Sequence, residues 1–185
     1  MGLAEYLRVE KEITTEFPNF DVVPKRNSLL MKVANVLLII ITFGQMRTFM
    51  TRFTTQVMGK IYVPDDWTSR PPLERAVTLR HERVHLRQRV RYGNLMFTLR
   101  YAWWPLPLLF ALGRRDLEQE AYEESMRAVA EYYGVNVIYS PAYKENMLGN
   151  FTSASYFWMF PFKKKLEAWF ESTANKIREG LTTSC

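Results

Sequence analysis

The chain has 185 residues, of which 48% are hydrophobic and 15% aromatic, and its net charge is +6. This composition excludes an intrinsically disordered chain, and the length suffices for one domain with its own core. The single cysteine is the last residue, Cys185, so the chain can form no internal disulfide and needs no oxidising compartment. The positive charge permits an acidic partner, such as nucleic acid, an anionic membrane or an acidic protein surface, without requiring one.

The N-terminal segment mixes charged residues throughout and lacks the apolar core of a signal peptide. We therefore expect a protein of the cytoplasm or of a virus particle. The most apolar stretch, residues 29–43, is interrupted by Lys32 and Asn35 and falls short of the ~18–20 residues that a membrane span needs. It is predicted to be a buried core segment, and no transmembrane segment is expected.

Residues 1–28 are predicted to form an N-terminal arm. It begins with a helix at residues 3–12 and continues as a loop punctuated by Pro and Asn. Ser28 can cap the next element. The high apolar density of residues 29–41 favours a helix there, although a run of three isoleucines would also suit a buried strand.

Two segments rich in β-branched and aromatic residues, 49–55 and 60–64, predict a β-hairpin. A long helix is predicted at residues 72–91, with Thr68 or Ser69 as its cap and prolines in its first turn. Five further segments follow in chain order: an apolar region bent by two prolines at 95–112, a helix at 116–133, a loop with a short helix at 141–149, an irregular aromatic segment at 151–162 and an amphipathic helix at 163–179. No repeat or linker divides the chain, so a single domain spanning residues 1–185 is predicted.

The most informative segment is HERVH at residues 81–85, which matches the pattern HExxH. His81 and His85 are the only histidines in the chain. On a helix, residues four apart lie one turn apart on the same face, so both imidazoles can bind one metal ion. Glu82 follows the first histidine, where a carboxylate can reach a water on that metal.

A catalytic zinc ion usually has three protein ligands, and here the third has to be a carboxylate. The helix at 116–133 is its best source. With Glu118 at zero and about 100 degrees per residue, Ser125 and Val129 lie within about 40 degrees of it, whereas Glu120 lies about 200 degrees round. Glu118 is therefore predicted to point inward as the third ligand, and Glu120 is the reserve.

HExxH followed on a later helix by Glu-x-x-Ala, here residues 118–121, resembles the gluzincin group of zinc metallopeptidases. Gln88 extends the first motif to HExxHxxQ, which is similar to small bacterial and phage peptidase families. The resemblance covers residues 49–133, the predicted metal-site core. It implies an α+β, mostly helical, zincin-like fold with a short hairpin or sheet. Tyr122 departs from the pattern, since many relatives carry there an Asp that supports a zinc-binding histidine.

The resemblance also implies a mechanism. Zn²⁺ would be held by His81, His85 and Glu118 and would bind a water, whose proton Glu82 would accept and pass to the leaving amine. An extended peptide would lie along the predicted hairpin. Three tyrosines are candidates for stabilising the oxyanion: Tyr92, Tyr101 and Tyr122.

The predicted function is a zinc-dependent peptidase acting on a peptide or protein. The alternative is a catalytically silent zincin-like protein with assembly partners in a virus particle or secretion machine, its cleft plugged by residues 141–162. The arginines of residues 80–91 are predicted to form a solvated face with ion pairs to Glu74 or to residues 116–131, so nucleic-acid binding is the weakest interpretation. The aromatic and lysine tract at 158–165 is predicted to be a core lid rather than a membrane contact.

Overall fold

The computed structural model describes residues 2–41, 44, 47–57, 59–102, 112–153, 160 and 162–183. These residues are mostly helical and include one small three-stranded sheet, which confirms the predicted α+β class. The chain forms two compact units, residues 1–86 and 87–185, and the division falls inside a long continuous helix. The prediction of a single domain is not tested by this division and stays a prediction.

The first unit contains the sheet and the N-terminal helices. In chain order its elements are α1 (Gly2–Glu16), β1 (Asp21–Pro24), α2 (Leu29–Ile41), α3 (Phe49–Arg52), β2 (Thr55–Val57), β3 (Lys60–Val63) and most of α4 (Pro72–Tyr92). Strand β3 is central, with β1 parallel on one side and β2 antiparallel on the other. Ile61 and Val63 of β3 are buried in the core of this unit.

The predicted N-terminal loop is wrong in two places. Helix α1 continues to Glu16, and the segment Asp21–Pro24 forms strand β1. The backbone partners of β1 lie far along the chain in β3, so no local pattern marks this strand. Proline is tolerated at the last position of β1 because this is an outer strand of the sheet.

The predicted hairpin is confirmed over β2 and β3 but begins later than expected. Residues Phe49–Arg52 form the helical turn α3 instead of the start of a strand. Phe49 is buried, and its carbonyl accepts a hydrogen bond of 2.7 Å from the Lys25 ammonium. This tertiary contact favours a turn over the extended conformation suggested by the alternation of residue types.

Helix α2 confirms the helix predicted at residues 29–41, and the Ser28 hydroxyl accepts a hydrogen bond from the backbone N–H of Met31 at its first turn. The prediction that this segment is buried is wrong. Among the described side chains of α2, Met31 alone is buried. High apolar content predicts that a helix can be buried, but burial also requires a neighbouring element to cover it.

Helix α4 confirms the helix predicted at residues 72–91, and Leu79 and Leu86 are buried on it. The predicted caps are wrong. Thr68 and Ser69 belong to a 3-10 turn before the helix, and the Ser69 hydroxyl donates to a backbone carbonyl of that turn.

The second unit contains the end of α4 and a group of helices. They are α5 (Asn94–Ala102), α6 (Leu112–Tyr133), α7 (Val135–Ile138), α8 (Pro141–Thr152) and α9 (Lys163–Thr183). Helices α6, α8 and α9 share a core built from buried aromatic, aliphatic and small side chains: Met126, Ala130, Phe151, Leu166, Phe170 and Ala174. Gly134, with φ of 93°, ends α6 as predicted.

The bounds of three predicted helices in this unit differ from those in the structure. Helices α6 and α9 confirm their predictions with longer ends, whereas residues 141–149 belong to one continuous helix rather than a loop and short helix. The proline bend at 103–111, most of the aromatic segment at 151–162 and Cys185 lie outside the described residues. No helix in the described ranges has the length and apolar character needed to cross a membrane.

Candidate metal centre

The two histidines lie one turn apart on α4, and His85 is buried while His81 is partly buried. Their Nε2 atoms are 3.2 Å apart, and the rings meet nearly edge to face at 80°. Two nitrogens on a tetrahedral zinc ion with Zn–N bonds of ~2.0–2.1 Å are about 3.3–3.4 Å apart. The histidine pair therefore already has the separation expected of two ligands on one ion.

Glu118 lies on α6 and is buried, which agrees with the helical phase that predicted it to point inward. One of its carboxylate oxygens and a nitrogen from each of His81 and His85 all lie within 4.8 Å of one another. In the described part of the chain this is the one group of three such side chains close enough to hold a metal.

The types of donor fit a metal centre and indicate which kind. Structural zinc sites are built mainly from cysteine thiolates, whereas two histidines and one glutamate form the donor set of several catalytic zinc sites and leave a fourth position for water or substrate. Cys185 lies outside the described residues, and the group found among the described residues consists of nitrogen and oxygen donors. Such a set suits zinc and, less specifically, other divalent first-row metals.

Gln88 connects α4 to α6. Its side chain is fully buried, and its Nε2 donates hydrogen bonds of 3.0 Å to the carbonyl of Leu117 and to the Glu120 carboxylate. The Leu117 carbonyl belongs to the peptide bond that leads into Glu118, so this contact fixes the backbone at the third candidate ligand. The sequence identified Gln88 only as part of the HExxHxxQ motif, and the structure adds its hydrogen bonds to Leu117 and Glu120.

Glu120, the reserve ligand, is exposed and lies outside the group of three. Its carboxylate accepts from Gln88 and forms an ion pair with Arg91 at 3.2 Å. This pair also confirms the predicted contact between the arginine face and the acidic helix. Glu118 and Glu120 therefore differ as their helical phase predicted: Glu118 is buried and Glu120 lies at the surface.

Glu82 is buried on α4 and lies close enough to Lys25 for the two charges to interact. Lys25 is itself fully buried, and its Nζ sits 3.7 Å over the Phe49 ring. Burial lowers the pKa of Lys25 to about 7, and the negative charge of Glu82 opposes part of this shift. Sequence reasoning missed Lys25, because a lysine followed by Arg26 in a polar loop has the pattern of a solvated residue.

Arg83 anchors α4 to the N-terminal helix. Its guanidinium contacts the carboxylates of Glu12 and Glu16 at 2.9 and 2.6 Å. The sequence predicted ion pairs of this arginine face with Glu74 or with residues 116–131, and it missed α1 as a partner. The contact fixes the rotation of α4 about its axis in the first unit, and thereby the direction in which the histidine face points.

The tyrosines suggested for the oxyanion have different surroundings. The Tyr122 ring packs 5.3 Å from that of Phe151, and the Tyr92 ring lies 4.6 Å from the Arg100 guanidinium. The side chain of Tyr101 is outside the described residues. An oxyanion role for any of the three stays a prediction.

Comparison with known proteins gives no match: no family model, no curated protein and no solved structure is similar to this chain. The resemblance to gluzincins therefore stays a prediction carried by the two motifs. Function is inferred from the side chains of α4 and α6 and from the contacts that hold them.

Proposed function

We propose that the protein is a zinc-dependent peptidase of the gluzincin type, with His81, His85 and Glu118 as metal ligands and Glu82 as the general base. The observation that supports it most is the group of three ligand atoms within 4.8 Å of one another, with its two histidines in an HExxH motif. The donor set is that of a catalytic rather than a structural zinc site.

Zinc, when bound, supplies a Lewis acid that lowers the pKa of water toward neutrality. Glu82 has the position in HExxH from which a carboxylate accepts a proton and returns it to the leaving amine. Lys25 lies close enough to Glu82 for their charges to interact, so the protonated form of Lys25 favours the ionised form of Glu82.

An extended peptide would bind by adding a strand to the sheet. Strand β3 is paired on both sides, so in the described part of the chain the outer strands are β1 and β2. Strand β2 is part of the predicted hairpin and is our proposed binding edge. Its three residues, Thr55–Val57, would pair with a short stretch of substrate backbone.

Metal analysis of the purified protein tests the ligand set. We expect about one zinc per chain in the wild type and loss of zinc in His81→Ala and Glu118→Ala. Glu120→Gln is the matched control, because this acid lies on the same helix but outside the group of three. Zinc that is absent from the wild type, or unchanged by His81→Ala, would contradict the proposed site.

The general base is tested with Glu82→Gln on a library of fluorogenic peptides. We expect this variant to keep its zinc and its far-ultraviolet circular dichroism while kcat falls by roughly 10²–10⁴-fold. A variant that cleaves as fast as the wild type excludes Glu82 from the chemistry. A zinc-loaded wild type that cleaves nothing in the library would instead favour the catalytically silent alternative.

A further inference from the structure

Helix α2 presents an apolar surface to solvent. Its six large exposed aliphatic side chains are between 49% and 77% exposed, and on a helical wheel they fall within an arc of about 120 degrees. They are Leu29, Leu30, Val33, Val36, Leu37 and Ile40. The buried Met31 lies on the other side, so α2 packs against its unit through one face and exposes the other. A contiguous exposed apolar surface of this kind marks an interaction site.

The charge around this aliphatic stripe has one sign. Residues 22–64 contain six of the 25 Lys and Arg of the chain and none of its 19 Asp and Glu. The remainder of the chain therefore carries equal numbers of both signs, and the whole net charge of +6 arises from this segment. Lys25 is buried and faces inward, but other cations of the segment are at the surface.

The exposed cations flank the aliphatic stripe. Arg26 precedes α2, Lys32 lies on the helix about 40 degrees beyond the edge of the stripe, and Arg47 follows the helix; all three are exposed. An aliphatic face bordered by Lys and Arg is the pattern of a helix that lies in a membrane interface. The aliphatic face enters the acyl boundary, while the cationic groups reach anionic headgroups.

We propose that α2 binds the surface of a bilayer containing anionic lipids, with its axis in the plane of the membrane and the aliphatic stripe in the interface. It does not span the bilayer, because its 13 residues extend only ~20 Å against a hydrocarbon core of ~30 Å. A second copy of the chain fits this surface less well, since two acid-free basic segments would then face each other and repel.

Vesicle co-sedimentation of the full-length protein tests this surface. We expect binding to phosphatidylcholine vesicles containing 30% phosphatidylglycerol, weaker binding to pure phosphatidylcholine, and a loss of affinity as salt is raised. Lys32→Gln should weaken binding to the anionic vesicles about fivefold. Equal binding to both vesicle types would exclude recognition of anionic lipid, and binding to neither would overturn the proposal.

Two matched valine substitutions locate the contact. Val36→Asp introduces a charge in the stripe, at a side chain that is 56% exposed, and should weaken vesicle binding about tenfold or more. Val90→Asp makes the same change on α4, where the side chain is 74% exposed, and should leave binding unchanged. Equal effects of the two substitutions would contradict a contact through α2. Both sites are exposed, and circular dichroism checks that each variant is folded.

Sedimentation velocity tests the alternative that a second copy of the chain covers the aliphatic stripe. A concentration-dependent dimer that Val36→Asp dissociates, without vesicle binding by the wild type, would assign the stripe to a second copy and overturn the lipid proposal. The experiment is independent of the metal centre, because vesicle binding is expected to be the same with and without EDTA. Loss of binding in EDTA would contradict this independence.

Discussion

Helices α2 and α4 reverse the usual relation between composition and burial. Helix α4 is rich in charged residues, yet Glu82, His85 and Gln88 are buried on it. Helix α2 is almost wholly apolar, yet most of its described side chains are partly or fully exposed. A buried polar group is costly unless it is paired, and an exposed apolar surface is costly unless something covers it. Both departures therefore mark places where the protein is expected to bind something.

The buried polar side chains concentrate around one place. In the described part of the chain seven polar or charged residues are buried, and five of them belong to the candidate metal centre or contact its parts: Lys25, Glu82, His85, Gln88 and Glu118. Such a concentration of buried ionisable side chains marks a candidate functional site.

Metal removal should produce the largest effect on the α4 side of this comparison. A ligand present at 1,000 times its dissociation constant stabilises the folded state by ~4 kcal/mol, which corresponds to roughly 10 °C in melting temperature for a chain of this size. We expect EDTA to lower the melting temperature of the wild type by about this amount and to leave that of His85→Ala unchanged. Calorimetry with and without EDTA measures it, and an equal EDTA shift in both proteins would argue against the site.

Gln88 should show the next largest effect. Gln88→Leu removes the donor to the Leu117 carbonyl beside Glu118, and we expect zinc affinity to fall about 10- to 100-fold. Arg91→Gln is the control, since Arg91 contacts Glu120 but has no described contact with that carbonyl. Competition with a fluorescent zinc chelator measures both variants. Similar affinities for the two would indicate that Gln88 does not position the ligand.

Lys25 should give the metal-free protein a distinctive pH dependence. Its folded-state pKa of about 7 lies below the ordinary value of 10.5, so between these values the unfolded chain holds a proton that the folded protein lacks. The free energy of unfolding should therefore rise with pH across this window. Below the window Lys25 is protonated in both states and should add no pH dependence. Relative to Lys25→Met, the wild type should gain up to about 1.4 kcal/mol per pH unit.

Urea unfolding in EDTA at three values between pH 7.5 and 9.5 measures this difference. Other titrating groups are common to both proteins and largely cancel. A wild type and a Lys25→Met variant whose stabilities run parallel over the window would show that Lys25 is not held in a desolvated state.

The smallest effect is expected on α2, from a matched pair of substitutions. Leu37 is 52% exposed on α2, and Leu79 is fully buried on α4. Leu79→Ala should cost 2–5 kcal/mol by the usual range for buried leucines, whereas Leu37→Ala should change stability by about 0.5 kcal/mol or less. Denaturant unfolding without vesicles measures both. A cost above about 2 kcal/mol for Leu37→Ala would mean that α2 is covered in solution and would remove the contrast between the helices.

Predictions from the sequence succeeded where the determining pattern is local. The 3.6-residue period placed α4 and α6, and the same period distinguished the buried Glu118 from the exposed Glu120. Ser28 and Gly134 were also identified correctly, because caps and helix ends depend on the few residues beside them.

The errors arose where the determining contact is distant. Strand β1 exists through pairing with β3, and the turn at Phe49 is accompanied by the contact with Lys25. The burial of Lys25 and the roles of Gln88 and Arg83 likewise depend on side chains that lie close only in the folded chain. Residue type alone gave no indication of these contacts.

The sequence by itself therefore determined helices α4 and α6, the two histidines one turn apart and the inward direction of Glu118, because each follows from the geometry of a single helix. Only the tertiary structure decided that a lysine is buried near Glu82 and that the most apolar helix is exposed. Both depend on what packs against each element. Packing is a property of several distant segments together, and no periodicity within one segment encodes it.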